Sequence, residues 1–147
     1  MLFRSEPFVV VTPLSHKLAK RKRVALHELS GQDFVMYERS YAPGFHDLIF
    51  GMLRDAGVIP NVCQTAGQMP TLISLVDSGM GISILPASAV KHSGASVVAC
   101  EIADRIAMSE IAIAVNKENR AAVVGNFRSL ALKELDRGRR SLNENRR

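Results

Sequence analysis

The stretch Met69–Val90, MPTLISLVDSGMGISILPASAV, decides the fold. Met69, Leu72, Ile73 and Val76 fall at i, i+3, i+4 and i+7, which is one apolar face of a helix. Gly79 ends that helix, Gly81 opens the run Ile82 to Leu85, and Pro86 closes it. A short apolar run bounded by glycine and proline suits a strand covered on both faces. Helix, glycine turn and buried strand make half of an α/β lobe.

The same pattern stands upstream. Phe45, Leu48, Ile49, Met52 and Leu53 form a second apolar helical face, Gly57 supplies a left-handed cap, and Pro60 prevents continuation. Strands are expected at Phe34 to Tyr37 and Val62 to Ala66. The order strand, helix, strand, helix, strand from Phe34 to Leu85 gives two consecutive βαβ units in a parallel sheet, because such crossovers are right-handed. Phe8 to Thr12, closed by Pro13, reads as a buried strand; Leu14 to Arg23 is a basic loop, and Val24 to Leu29 a short helix. Val97 to Glu101 and Ile111 to Val115 add strands. A last helix, Arg120 to Leu135, carries Val123, Val124, Phe127, Leu130 and Ala131 on one face. The fold class is α/β, with a mostly parallel sheet flanked by helices.

Of 147 residues, 47% are hydrophobic, enough for a core rather than a disordered chain. No 18-residue apolar run exists, so no transmembrane helix is expected, and MLFRSEPFVV lacks the pattern of a secretory signal. Cys63 and Cys100 lie in strand-like stretches and read as reduced core cysteines of a cytoplasmic protein. The net charge of +5 is concentrated in Lys17, Lys20, Arg21, Lys22 and Arg23 and in the tail 136–147. Neither segment is interleaved with aromatics or lies on a recognisable reading helix, so a solvated loop and a frayed tail are expected rather than a nucleic-acid surface.

In open parallel sheets ligands bind beyond the carboxyl ends of the strands. Two loops emerge there, Glu38 to Gly44 and Gly67 to Pro70, and each leads into a helix. Helix starts offer unpaired N–H groups and the positive end of a dipole, and two side by side favour a small anion. Gly44 lets a ligand approach the backbone, Pro43 stiffens the loop, and Ser40, Tyr41 and Gln68 offer hydrogen bonds. Ordinary capping loops without a ligand are the alternative. Catalytic patterns are absent: there is no G-x-S-x-G, and His16, His27, His46 and His92 lack metal-ligand spacing. His46-Asp47 reads as a cap-region pair, and Gly79-Met80-Gly81 follows a helix, the wrong order for a phosphate loop. No enzyme activity, metal or cofactor is expected.

Four stretches carry a family resemblance: EPFVVVTPLSHKLA, FVMYERSYAPGFHDLIFGMLRDAGVIP, QMPTLISLVDSGMGISILPASA and IAIAVNKENRAAVVGNF. Over about residues 6 to 131 the chain resembles the effector-binding domain of LysR-type transcriptional regulators, and GMGISILPAS is the most specific piece. Tyr37, Pro43 and Phe45 look most like the muconate-responsive regulators of aromatic catabolism. The resemblance implies two subdomains of periplasmic-binding-protein type with an effector between them. It makes 1–12 a crossing strand, 13–103 an effector-binding subdomain, 104–135 the returning strand and helix of an incomplete second subdomain, and 136–147 a basic tail. The winged helix-turn-helix and linker helix of the family are absent, so the chain reads as a C-terminal piece. Strand Ile111 to Val115 then lacks sheet neighbours unless another chain supplies them, and the apolar face of the last helix is left exposed.

The resemblance implies effector contacts at Pro43, Gly44, Phe45 and Ile111. Gly44 stands where that subgroup carries a polar residue, which keeps the backbone donor but not a side-chain one. Ser40, Tyr41, Gln68 and Met69 join the candidate site on geometry alone. The implied partners are a small organic anion, further copies of the chain in a homo-oligomer, and DNA only through a helix-turn-helix domain outside this sequence, with no membrane. The alternatives are a non-functional truncated regulator, a transporter's solute-binding protein and an α/β enzyme.

Overall fold

The alternation of β-branched runs with apolar helical stripes produces twelve elements in the computed structural model, which describes residues 2–91, 93–94, 96–116, 118 and 121–144. In chain order they are β1 (Leu2–Glu6), β2 (Phe8–Pro13), β3 (Arg23–Val24), β4 (Asp33–Tyr37), α1 (Pro43–Asp55), β5 (Asn61–Ala66), α2 (Met69–Asp77), β6 (Ser83–Pro86), α3 (Ala87–Lys91), β7 (Val97–Ile102), β8 (Ser109–Ala112) and α4 (Ala122–Glu144). They group into two units, Glu6–Ser109 and Met1–Ser5 with Glu110–Arg147.

In the unit Glu6–Ser109 the expected parallel course is present. β4 pairs in parallel with β5, and a parallel bridge joins Phe34 to Ile82 at the entry to β6. Val35 N–H donates to the Ile82 carbonyl and Ile82 N–H to the Asp33 carbonyl, both at 2.8 Å. Gly81 makes this approach possible, since a Cβ there would lie 2.6 Å from the Asp33 carbonyl oxygen. The sheet is mixed where β2 enters it: β2 runs antiparallel to β6 and β7, and β3 pairs in parallel with β7.

Side chains alternate across a strand, and that period assigns the helices to faces. Phe8, Val10, Phe34 and Met36 pack with Ile49, Met52 and Leu53 of α1. Val9, Val11 and Val35 pack with Leu72, Ile73 and Val76 of α2. The two helices therefore lie on opposite faces of the sheet. Both end as read from the sequence, with Gly57 at φ 74° and Gly79 at φ 83° just beyond them.

Some boundaries move. Val24 lies in the short β3, and only Leu26–Leu29 forms a turn of 3-10 helix. The basic loop also contains a 3-10 turn, Lys17–Lys20, because the His16 Nδ1 accepts from the Leu18 N–H at 3.2 Å. Two of its cations are internally paired: Arg21 with Glu28, and Arg23 with Glu101 at 3.8 Å. Cys100 is buried as expected, but Cys63 is exposed, because β5 pairs only with β4 among the described strands. Burial pushes the Cys100 thiol up.

In the other unit the strand expected at Ile111 to Val115 is shifted: β8 covers Ser109–Ala112 and leaves 113–115 outside it. Its neighbour is β1, supplied by this chain's own beginning, which corrects the expectation of a strand without a partner. The helix expected from Arg120 begins in the structure at Ala122, and Arg120 lies outside the described residues. Its apolar stripe is split. Ala131 is buried, whereas Val123, Phe127 and Leu130 are 71%, 62% and 59% exposed. The segment read as a frayed tail is helical as far as Glu144; arginine and leucine are good helix formers and carry the backbone past the end of the apolar pattern. Residues 145–147 of that tail, and His92, lie outside the described residues.

Candidate functional site

The carboxyl end of β4 delivers the chain to the start of α1. Glu38 N–H donates to the Ala66 carbonyl at 2.9 Å, extending the β4–β5 pairing by one step. The Glu38 carboxylate accepts from Thr65 Oγ1 at 2.7 Å and from Ser40 Oγ at 3.5 Å. These contacts tie the loop to β5. The Thr65 hydrogen bond, followed by those from the backbone and hydroxyl of Ser40, holds the Glu38 carboxyl below its usual range. Tyr41 N–H returns to the Glu38 carbonyl at 3.1 Å and closes the turn.

Neither helix start has the usual cap. Ala42 is the N-cap of α1 and Gln68 that of α2, and neither side chain accepts a hydrogen bond from the first turn. Serine, threonine, aspartate or asparagine normally does so. Each helix has a proline in its first two positions and no acidic residue in its first turn. At α1 this leaves the Gly44 and Phe45 N–H groups, which form the positive end of the helix dipole, without a capping side chain. Gly44 is exposed, and a Cβ there would meet nothing within 4 Å.

One turn on, Asp47 takes two hydrogen bonds from Arg39, Nε to Oδ1 at 2.8 Å and Nη2 to Oδ2 at 2.9 Å. His46 Nδ1 lies 3.1 Å from the same carboxylate. The Arg39 hydrogen bonds, then that of His46, bring the Asp47 carboxyl down to about 2. His46 and Asp47 thus form a pair with Arg39 as a partner, past the first turn and without capping the helix. The arginine beside the helix start is already matched by a carboxylate.

The structure corrects the expected arrangement of the two helix starts. They do not stand side by side in one hollow, because α1 and α2 occupy opposite faces of the sheet. The Phe45 ring sits between them, packed against both cores, with Phe8 at 5.8 Å and Tyr37 at 5.5 Å between ring centroids. The Tyr41 ring lies over Gly67, where an added Cβ would come within 3.0 Å of it. Ser40, Tyr41, Pro43, Gly44 and Phe45 thus gather at the start of α1, with Gly67 reached through Tyr41 and Gln68 at the N-cap of α2. Met69 is half-buried against the α2 core. Ile111 belongs to the other unit, on β8, and is 50% exposed.

Sequence reading missed Glu38, Thr65 and Gly67. The register Met36↔Thr65 carries the signal for the first two, since it puts Thr65 beside the chain leaving β4. A cavity between Phe34, Phe45, Ile49 and Ser83 measures about 10 Å³, room for one water and no metabolite. Among the described residues no three His, Cys, Asp or Glu side chains are placed to hold a metal, and no helix is long and apolar enough to cross a membrane.

The model of the LysR substrate binding domain matches residues 1–136. The chain belongs to that family. Among curated relatives, this LysR domain is 33% identical over 124 residues to the uncharacterized HTH-type transcriptional regulator YnfL of Escherichia coli strain K12, covering 84% of this chain and 42% of that protein. It is 28% identical to the HTH-type transcriptional regulator CatR of Pseudomonas putida, covering 81% of this chain and 41% of CatR. The chain thus spans less than half the length of these relatives. Among solved structures, the effector binding domain of QuiR in complex with shikimate superposes with a TM-score of 0.79 at 20% identity, covering 93% of this chain and 65% of that one. The BenM effector binding domain with benzoate gives 0.73 at 22% identity, covering 97% and 63%. At such identities these structures share the fold of this LysR domain, a periplasmic-binding-protein-like α/β architecture. The family and its relatives are transcriptional regulators, not enzymes.

Proposed function

We propose that this LysR domain senses a small organic anion at the start of α1 and serves as the effector-responsive part of a cytoplasmic, oligomeric transcriptional regulator. DNA contact then falls to a helix-turn-helix domain outside this sequence. The observation that carries the reading is the uncapped first turn of α1, with free Gly44 and Phe45 amides, no first-turn acid and open space at Gly44. Gly44 and Phe45 bind through their backbone N–H groups, Pro43 fixes the turn that presents them, Ser40 and Tyr41 border the site, and Gln68 and Met69 flank it from the α2 start. The structural neighbours support the ligand class, since QuiR holds shikimate and BenM benzoate, both carboxylates. Benzoate, an aromatic carboxylate, is in keeping with a role in aromatic catabolism. The residues 13–103 act as the effector-binding subdomain and 104–135 as part of its counterpart. Effector binding shifts a conformational equilibrium only through differential affinity for the two states.

Ala42→Asp tests the reading. An aspartate N-cap supplies the missing acceptor, so the domain gains about 1 kcal/mol of stability, while the same carboxylate competes with the effector. Calorimetric titration with benzoate should show binding to the parent chain and a loss of at least tenfold in the variant, alongside a raised melting temperature. A stabilised variant that binds benzoate as well as the parent does would refute an anion site at these amides.

A further inference from the structure

Tyr41 is 75% exposed, an uncommon state for a large aromatic ring, yet its ring has a contact within the chain. Its N–H is bonded to Glu38, and one ring face lies on Gly67, where a Cβ would stand 3.0 Å from Cδ2, 3.1 Å from Cε2 and 3.3 Å from Cγ. Glycine at 67 is what allows the ring to lie this close. Phe45, by contrast, spends its ring on Phe8 and Tyr37 and is not free to stack on a ligand. The Tyr41 ring therefore keeps one face for solvent, three residues before the open Gly44 amide.

We infer that Tyr41 is the specificity-determining residue of the α1 site, a stacking platform that selects a flat, unsaturated carboxylic acid over a saturated one. This rests on the reading of α1 as the anion site. The carboxylate takes the first-turn amides while the conjugated body lies on the outer face of Tyr41, in the offset geometry that aromatic pairs prefer. Gly67 is a positioning residue, acting through the ring it supports. Glu38, already satisfied by Thr65 and Ser40, anchors the loop from which Tyr41 projects.

The test compares benzoate with cyclohexanecarboxylate, which share a carboxylate and ring size and differ in flatness. The chain has two tyrosines and no tryptophan, so Tyr37→Phe leaves Tyr41 as the only strong near-ultraviolet emitter. In calorimetric titrations benzoate should bind about tenfold more tightly than its saturated analogue. Tyr41→Phe should keep that preference. Tyr41→Leu should abolish it by weakening benzoate alone, and Gly67→Ala, which displaces the ring, should do the same. In the Tyr37→Phe background benzoate should change Tyr41 emission more than the saturated acid does. Equal affinities for the two acids, or equal weakening of both in Tyr41→Leu, would overturn the platform and leave the anion site intact. No heat from either acid, in a sample with folded circular dichroism, would overturn both.

Discussion

The two units of this chain treat the same kind of residue in opposite ways. In Glu6–Ser109, Leu53 of α1 and Leu72 of α2 are fully buried, each helix pressed to its own face of the sheet. In the other unit, Phe127 and Leu130 of α4 form an equally regular apolar stripe and stay largely in water. Periodicity makes a helix amphipathic, but a covering surface is a separate requirement. β1 and β8 form a two-stranded sheet, which is marginal on its own, whereas β2, β6 and β7 together make a hydrophobic platform. The unit Glu6–Ser109 thus seals its two long helices, whereas α4 of the other unit keeps an exposed apolar stripe.

The largest effects should break along that line. Leu53→Ala is expected to cost about 2–5 kcal/mol through a buried cavity, read as a lowered midpoint in urea. Phe127→Ala should stay within about 0.5 kcal/mol and reduce self-association at high concentration in sedimentation velocity. A large stability loss from Phe127→Ala would show that α4 is covered in solution.

A smaller effect separates two glycines of the sealed lobe. Gly81 is hemmed in by the Asp33 carbonyl, whereas Gly44 opens onto free space. Gly44→Ser should therefore fold normally and add a hydroxyl donor beside the first-turn amides. A severalfold gain in benzoate affinity, about 1 kcal/mol for one added hydrogen bond, is expected, and a calorimetric titration checks it.

The smallest effect is electrostatic. The Asp47 carboxyl is lowered to about 2 by its Arg39 hydrogen bonds, then by His46. A depressed carboxylate contributes stability above its unfolded value near 4 that is lost as pH falls through about 2. Because the pair is exposed, a slight acid dependence is expected, with Arg39→Gln returning the Asp47 titration, followed by NMR of its carboxyl carbon, toward 4.

Much of the sealed lobe was legible in the sequence. The stripes from Phe45 and Met69, with Gly57 and Gly79 behind them, needed only helical period and glycine caps. β1 was not legible, because LFRSE has no clear alternation, and β8 starts two residues earlier and ends three residues earlier than expected because IAIAV alternates over a stretch only partly in the strand. At the site, Pro43, Gly44 and Phe45 followed from motif and helix start. The faces of α1 and α2 did not, since they depend on β4 standing between β5 and β6 in space. Tyr41 against Gly67 was likewise invisible, because it joins two loops that only the β4–β5 register brings together.

Effector sensing by this domain requires an anion to meet the bare first turn of α1. Nitrogen-edited amide spectra recorded while benzoate is added test this directly. The largest displacements should fall on Gly44 and Phe45, with Tyr41 and Gly67 next. Displacements centred on α2 or on α4, with the Gly44 and Phe45 amides unmoved at saturation, would contradict it.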